Sequence, residues 1–312
     1  MKQLRIALAQ MAPRLGNLED NLVRHRQLIA DARREGAGLV VFPELGLTGY
    51  QLQDLAAEVA MRADDRRLAS LAGQTQDLSA VVSFVEEADD HRLFIAAALL
   101  EDGEIRFIHR KLFLPTYGLF DERRFFAAGD SLRAVESPRL GIKLGIAICE
   151  DFWHLSVPET LALDGAQMLV DISSSPGRDL AAIHEAGLGT AESWRTLMRT
   201  YAQLTTSFVV FCNRVGVDET ISFWGGSEVI GPSGNPVYTA PMLDEGLYTA
   251  DVELGDVRRE RVSLPLLRDE RPELHLRELR RLLAERTGLD LDQASEPPAE
   301  PPADEQSVGR RR

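Results

Sequence analysis

Short apolar runs recur along this chain, at 38–42, 94–100, 144–149, 168–172 and 208–212, and they constrain its fold more than any other feature. Each is about the length of a strand and short for a helix that crosses a core. Between them lie segments with helical spacing. Asn17 can cap a helix whose Leu18, Leu22, His25, Ile29 and Ala32 share one stripe, with Gly36 as a left-handed stop. Residues 185–205 suit another helix, and residues 274–286 a third. Strands that alternate with helices in this way predict a mixed α/β architecture.

The first strand is expected at Leu4, Ile6 and Leu8, with one face packed and the other, carrying Arg5, Ala7 and Ala9, less deeply buried. The stretch up to about Asp90 reads as polar and helix-prone. Asp102-Gly103 between apolar runs predicts a hairpin, as does Pro232-Ser233-Gly234-Asn235 between 227–230 and 236–238. One more strand is expected at 248–254. No interior linker rich in Pro, Gly or Ser divides the chain, so residues 1–290 are expected to form one domain. Residues 291–312, with EPPAEPPADEQ and a closing Arg-Arg-Arg, have a composition that cannot build a core and are expected to be a disordered tail.

A formal net charge of -14 argues against a surface that neutralises phosphates or anionic lipid, so neither nucleic acid nor membrane is an expected partner. The N-terminus lacks the apolar block of a signal peptide, and no run is long enough to span a bilayer, which predicts a cytoplasmic location. Only Cys149 and Cys212 are present, too few for a disulfide framework or a cysteine metal cluster. The six histidines show no helical metal-binding pair.

Three segments place a reactive side chain just beyond an apolar strand: Glu44 in VVFPELGLTGY, Lys111 in HRKLFLPTYGLFDE and Cys149 in LGIAICEDFWH. Taken singly, each has an ordinary reading, as a turn carboxylate, a hairpin-edge charge and a small buried hydrophobe. Together they supply a base, a cation and a nucleophile. A thiol near its reference pKa of about 8.5 is mostly protonated at neutral pH and needs such a base or cation to react. Glu44 is positioned by this logic to take the thiol proton. Lys111, with the backbone N–H after Cys149, can then stabilise the anion of a tetrahedral intermediate, which makes an acyl-transfer site without metal or organic cofactor.

The stretches FPELGLTGY, HRKLFLPTYGLFDERRFF and GIAICEDFW resemble, in order, the three motifs of the nitrilase superfamily of carbon-nitrogen hydrolases. The resemblance implies a four-layer α-β-β-α sandwich and a Glu-Lys-Cys triad falling on Glu44, Lys111 and Cys149, a thioester intermediate, and a small-molecule amide as substrate. It also implies a homodimer or higher homo-oligomer. Glu122 matches the family's second glutamate, which orients the lysine. Tyr117 and Glu150 would lie beside the substrate, where Glu150 could recognise an amine or simply pair with a basic residue. Ser174 and Ser175 in Ser173-Ser174-Ser175-Pro176 shape the substrate pocket or form a turn.

Within the superfamily, TYGLFDERRFF, CEDFW and CNRVG are most similar to the glutaminase domain of glutamine-dependent NAD synthetases. The synthetase domain with its Ser-Gly-Gly-x-Asp-Ser loop does not occur in this sequence. Two enzymatic readings follow, an amidase acting on a small metabolite and a glutaminase subunit feeding a separate synthetase. A catalytically silent binding module of the same fold is the third.

Overall fold

The computed structural model describes residues 2–177, 189–218 and 220–288. Residues 2–267 make one compact unit built on two six-stranded sheets. The first sheet contains β1 (Gln3–Gln10), β2 (Leu39–Val41), β3 (Ser79–Glu87), β4 (Leu93–Glu101) and β5 (Glu104–Arg110). The second contains β6 (Val135–Ser137), β7 (Ile142–Ile148), β8 (Met168–Ser173) and β9 (Phe208–Asn213). A two-stranded hairpin of β10 (Val215–Asp218) and β11 (Ile221–Trp224) follows. Next, β12 (Glu228–Ile230) and β13 (Pro236–Thr239) extend the second sheet, and β14 (Gly246–Glu253) returns to the first.

Strand order is β14-β1-β2-β3-β4-β5 in the first sheet and β13-β12-β9-β8-β7-β6 in the second. In both, three central strands run parallel (β1-β2-β3 and β7-β8-β9) with antiparallel neighbours outside them. β2 of the first sheet and β8 of the second thus hold equivalent central places.

Alternation along the strands sorts the side chains into layers. On β1, Leu4, Ile6 and Leu8 join Leu144, Ile146, Met168 and Val170 in the core between the sheets. Ala7 and Ala9 face the other way, into a second core closed by Leu22, Ile29 and Ala32 of the helix Leu18–Arg34 and by Leu68 and Leu71 of Arg66–Ala72. The helices Ser156–Leu163 and Gly189–Thr205 cover the outer face of β7, β8 and β9. At Gly145 the approach is close: a Cβ there would stand 2.9 Å from the Leu169 side chain and 3.0 Å from Leu161 Cβ. The result is the α-β-β-α sandwich.

Two sequence expectations need correction. The face of β1 expected to be less buried is so only at Arg5, which stays partly exposed; Ala7 and Ala9 are fully buried, because their small side chains let the helix Leu18–Arg34 pack closely. The stretch read as helix-prone up to Asp90 holds a short helix at Arg66–Ala72, but Ser79–Glu87 is the buried strand β3. Its polar residues hid the pattern, and each has a partner that makes burial tolerable. Ser79 donates to Glu101 at 2.6 Å, Ser83 donates to the Ala96 carbonyl at 2.8 Å, and Glu86 pairs with Arg110 at 2.7 Å.

The helix starts where Asn17 accepts the Asp20 N–H, and Gly36 beyond it is left-handed. Both expected hairpins form, as β4/β5 and β12/β13. From Arg268 a second unit begins, described by the helix Pro272–Thr287, none of whose residues is buried. The expected tail, 291–312, lies outside the described residues, as does the start of the segment expected to be helical from 185. Among the described residues no helix is long and apolar enough to cross a membrane.

Candidate active site

Glu44, Lys111 and Cys149 leave the ends of β2, β5 and β7 and converge with Glu122 in one buried cluster. Lys111 Nζ donates to Glu44 Oε1 at 2.7 Å and to Glu122 Oε1 at 2.8 Å. Tyr50 Oη donates to the same Glu122 oxygen at 2.5 Å. Glu44 is held from the second sheet: the Ser174 N–H donates to Oε2 at 2.8 Å, and Ser174 Oγ donates to the Glu44 carbonyl at 2.9 Å. The loops after the two equivalent central strands therefore meet at the proposed base.

Both strand-end turns are strained. Cys149 has φ 50° and Leu45, next to Glu44, has φ 49°, left-handed values that cost a non-glycine residue energy. Leu45 N–H is tied to Ser83 Oγ at 2.9 Å. Gly49, with φ 81°, turns the chain to deliver Tyr50, and a Cβ there would come within 2.8 Å of Leu15 Cα.

The electrostatics follow from burial. Burial pushes the Cys149 thiol well above its usual range, and Glu44 adds to the effect while Lys111 opposes it. Burial and the Glu44 charge both favour the neutral thiol. For Lys111, burial works against the charge, but Glu122 and Glu44 outweigh it and hold the ammonium firmly protonated. Burial drives Glu122 up to about 7 against the pull of Lys111. Two carboxyls surround one ammonium, and the raised Glu122 pKa limits the excess negative charge of the buried cluster.

Cys149 opens onto a cavity of about 310 Å³ lined by Tyr117, Phe120, Glu150, Trp153, Ser175 and Trp194, among others. Tyr117 Oη donates to Glu150 Oε2 at 2.8 Å, and burial raises the Glu150 acid. Ser175 reaches the cavity, but its Oγ accepts the indole N–H groups of Trp194 at 2.8 Å and Trp224 at 3.3 Å. Ser174 lies behind Glu44 and does not line the cavity. A larger cavity of about 640 Å³ shares Phe120 and Pro176 and touches Tyr50 and Glu122, but not Cys149. Cys212 is fully buried between the sheets, its thiol donating to the Val41 carbonyl at 3.1 Å.

Sequence reasoning passed over three groups. Asp151, in the 3-10 turn Cys149–Trp153, accepts the N–H groups of Leu112 at 2.9 Å, Phe113 at 3.0 Å and Ile148 at 3.0 Å, and His109 Nε2 lies 3.0 Å from it. It clamps the lysine segment to the cysteine turn. Tyr50 was within a quoted motif but had no role. Arg214 and Asp218 form a buried two-bond pair at 2.5 and 2.9 Å, and Asp218 accepts the Tyr50 N–H at 3.0 Å. For Asp151, Arg214 and Asp218 the available signal was a charged residue close to an apolar run; Tyr50 gave none.

Comparison with known proteins places this arrangement in context. The family model described as carbon-nitrogen hydrolase matches residues 5–261. A glutamine-dependent NAD(+) synthetase of Thermotoga maritima is 35% identical over 269 residues, covering 85% of this chain and 44% of that protein. The chain thus spans less than half the length of that relative. An N-carbamoylputrescine amidase of Arabidopsis thaliana is 28% identical, covering 83% of this chain and 90% of its own. The crystal structure of a carbon-nitrogen hydrolase from Helicobacter pylori G27 superposes with a TM-score of 0.77 at 24% identity, covering 89% of this chain and 98% of that one. With the family model spanning both sheets and all three strand-end segments, the chain belongs to the carbon-nitrogen hydrolase family.

Proposed function

We propose that this protein hydrolyses the carbon-nitrogen bond of a small-molecule amide through a Cys149 thioester. The observation that carries the reading is Lys111 Nζ bridging Glu44 and Glu122 beside a buried thiol that opens onto a cavity. Because the neutral thiol is favoured, Glu44 removes its proton as sulfur attacks the carbonyl carbon. The carbonyl oxygen takes up the electron pair, stabilised by the Lys111 ammonium and the Glu150 N–H. Collapse of the tetrahedral intermediate breaks the carbon-nitrogen bond, with the proton on Glu44 passing to the departing nitrogen. Glu44 then deprotonates water, which attacks the thioester and releases a carboxylic acid and the thiol. Glu122 orients Lys111 through its 2.8 Å hydrogen bond.

Tyr117 and Glu150 form the recognition pair for an ammonium on the substrate, because a carboxylate at the cavity wall complements a cation. That geometry, with the 35% identity to a glutamine-dependent synthetase, favours as a second reading a glutaminase that supplies ammonia to a separate synthetase. The working form of this reading is a cytoplasmic homo-oligomer, with light scattering as the check on assembly.

The test is ammonia release from glutamine, asparagine, other ω-amides, aliphatic amides and carbamoyl amines, comparing wild type with Cys149→Ala. Turnover lost in the variant supports the amidase. An adduct on Cys149 with an electrophilic glutamine analogue, but no turnover, supports a partner-gated glutaminase. Neither turnover nor adduct supports a silent binding module and refutes the proposal.

A further inference from the structure

An acidic side chain fully buried inside an apolar strand is an expensive feature, and β8 contains one at Asp171. The ladder between β7 and β8 ends at Ile148 opposite Ile172. The next N–H, that of Cys149, goes to the Asp171 side chain, with Oδ1 accepting at 2.9 Å. Ser173 Oγ lies 3.0 Å from the other carboxyl oxygen, and Ser173 is itself fully buried. At Cys149 the backbone turns left-handed, φ 50°, and the residue lines the cavity.

We propose that Asp171 is the positioning residue of the nucleophile, holding the Cys149 N–H so that the strained turn persists and the thiol points into the cavity. This rests on Cys149 being the nucleophile. The N–H of a nucleophilic residue commonly serves as an oxyanion donor, as in serine proteases. Here it is committed to Asp171, which leaves the oxyanion to Lys111 and the following amide. A non-glycine residue at positive φ persists only where its surroundings over-determine it, and this hydrogen bond is one such constraint.

The pattern does not require a negative charge. Burial favours the neutral acid at Asp171, and Glu44 and Asp151 nearby push the same way. A neutral carboxyl can donate from Oδ2 to Ser173 Oγ while Oδ1 still accepts from Cys149. An asparagine reproduces both bonds, its amide hydrogens replacing the acid proton. An alanine at 171 leaves the Cys149 N–H buried and unpaired.

The experiment measures alkylation of Cys149 by iodoacetamide across pH 6–9, located by mass spectrometry, with kcat and KM on the best amide found. Wild type, Asp171→Asn, Asp171→Ala and Cys149→Ala are compared, and folding is checked by circular dichroism. Asp171→Asn is expected to match wild type within about threefold, whereas Asp171→Ala loses roughly tenfold to a hundredfold in alkylation rate and in kcat with KM little changed. A folded Asp171→Ala that reacts like wild type overturns the proposal, as does an Asp171→Asn impaired as severely as the alanine variant. If Asp171→Ala does not fold, Ser173→Ala removes only the hydroxyl that orients the acid. A drop in alkylation rate there supports the assignment, and an unchanged rate overturns it. Activity that survives in Cys149→Ala would instead show that the functional reading itself is wrong.

Discussion

Replacing Glu122 with glutamine tests how the buried cluster stores its charge. Burial raises the Glu122 pKa to about 7 from an ordinary 4.5. Such a carboxyl keeps a proton in the folded state at a pH where the unfolded chain has released it. Its contribution to stability is therefore fully present below pH 4.5 and is lost as the pH climbs through about 7. At about 1.4 kcal/mol per pH unit, the whole span costs about 3 kcal/mol. His25 works in the opposite sense, since burial lowers its pKa to about 4 from 6.5 and stability is lost as the pH falls through that window. Between pH 4.5 and 6.5 the two slopes offset each other in the wild type.

Glu122→Gln removes one slope and leaves the other. Urea titrations at pH 4.5, 5.5, 6.5 and 7.5 should show the wild-type-minus-variant stability difference falling by about 3 kcal/mol across the series. The variant alone should gain stability with pH up to 6.5, as His25 is relieved of its proton mismatch. Taking the difference cancels groups that titrate alike in both proteins. A difference that stays constant within about 1 kcal/mol would refute the idea that Glu122 carries the cluster's proton.

Asp151→Ala strands the N–H groups of Ile148, Leu112 and Phe113, and at about 1–3 kcal/mol for each unpaired group it should destabilise by at least about 3 kcal/mol. A melting temperature unchanged from wild type would contradict this. Arg214→Met leaves the buried Asp218 uncompensated, a loss of about 3–5 kcal/mol by denaturant titration. Adding Asp218→Asn, which still accepts from Tyr50, should recover most of that loss; a double variant as unstable as the single one speaks against a charge effect. Tyr50→Phe removes a bond that lowers the Glu122 pKa, so the limb of the pH-rate profile set by Glu122 should move to higher pH. A limb that stays in place would disconnect Tyr50 from the cluster.

Strand ends were legible in the sequence because an apolar run that stops at a reactive side chain declares both the element and the residue. That is how Glu44, Lys111 and Cys149 could be found, though their mutual distances could not. β3 was not legible, since Ser79, Ser83 and Glu86 interrupt its apolar pattern and their partners Glu101 and Ala96 are supplied from β4 and Arg110 from β5 beyond it. Asp151 stood two residues from the nucleophile, but an acid in a turn gives no hint that it receives N–H groups from the segment beside Lys111. Ser174 illustrates the same gap. Its predicted place near the substrate site is close to where it lies, yet its bonds run to Glu44, on the other sheet.

The pairing of β1 with β14, Gln3 opposite Glu253, bears on how the protein is made. A ribosome delivers Glu44 and Lys111 early, but the strand that completes their sheet emerges only after the whole second sheet has been synthesised. Until then β1 presents an unpaired edge, open to a chaperone or to a neighbouring nascent chain. Closing so distant a pair is slow. Full assembly of the first sheet is thus an event of late translation, and ribosome-bound chains arrested before Gly246 should lack it.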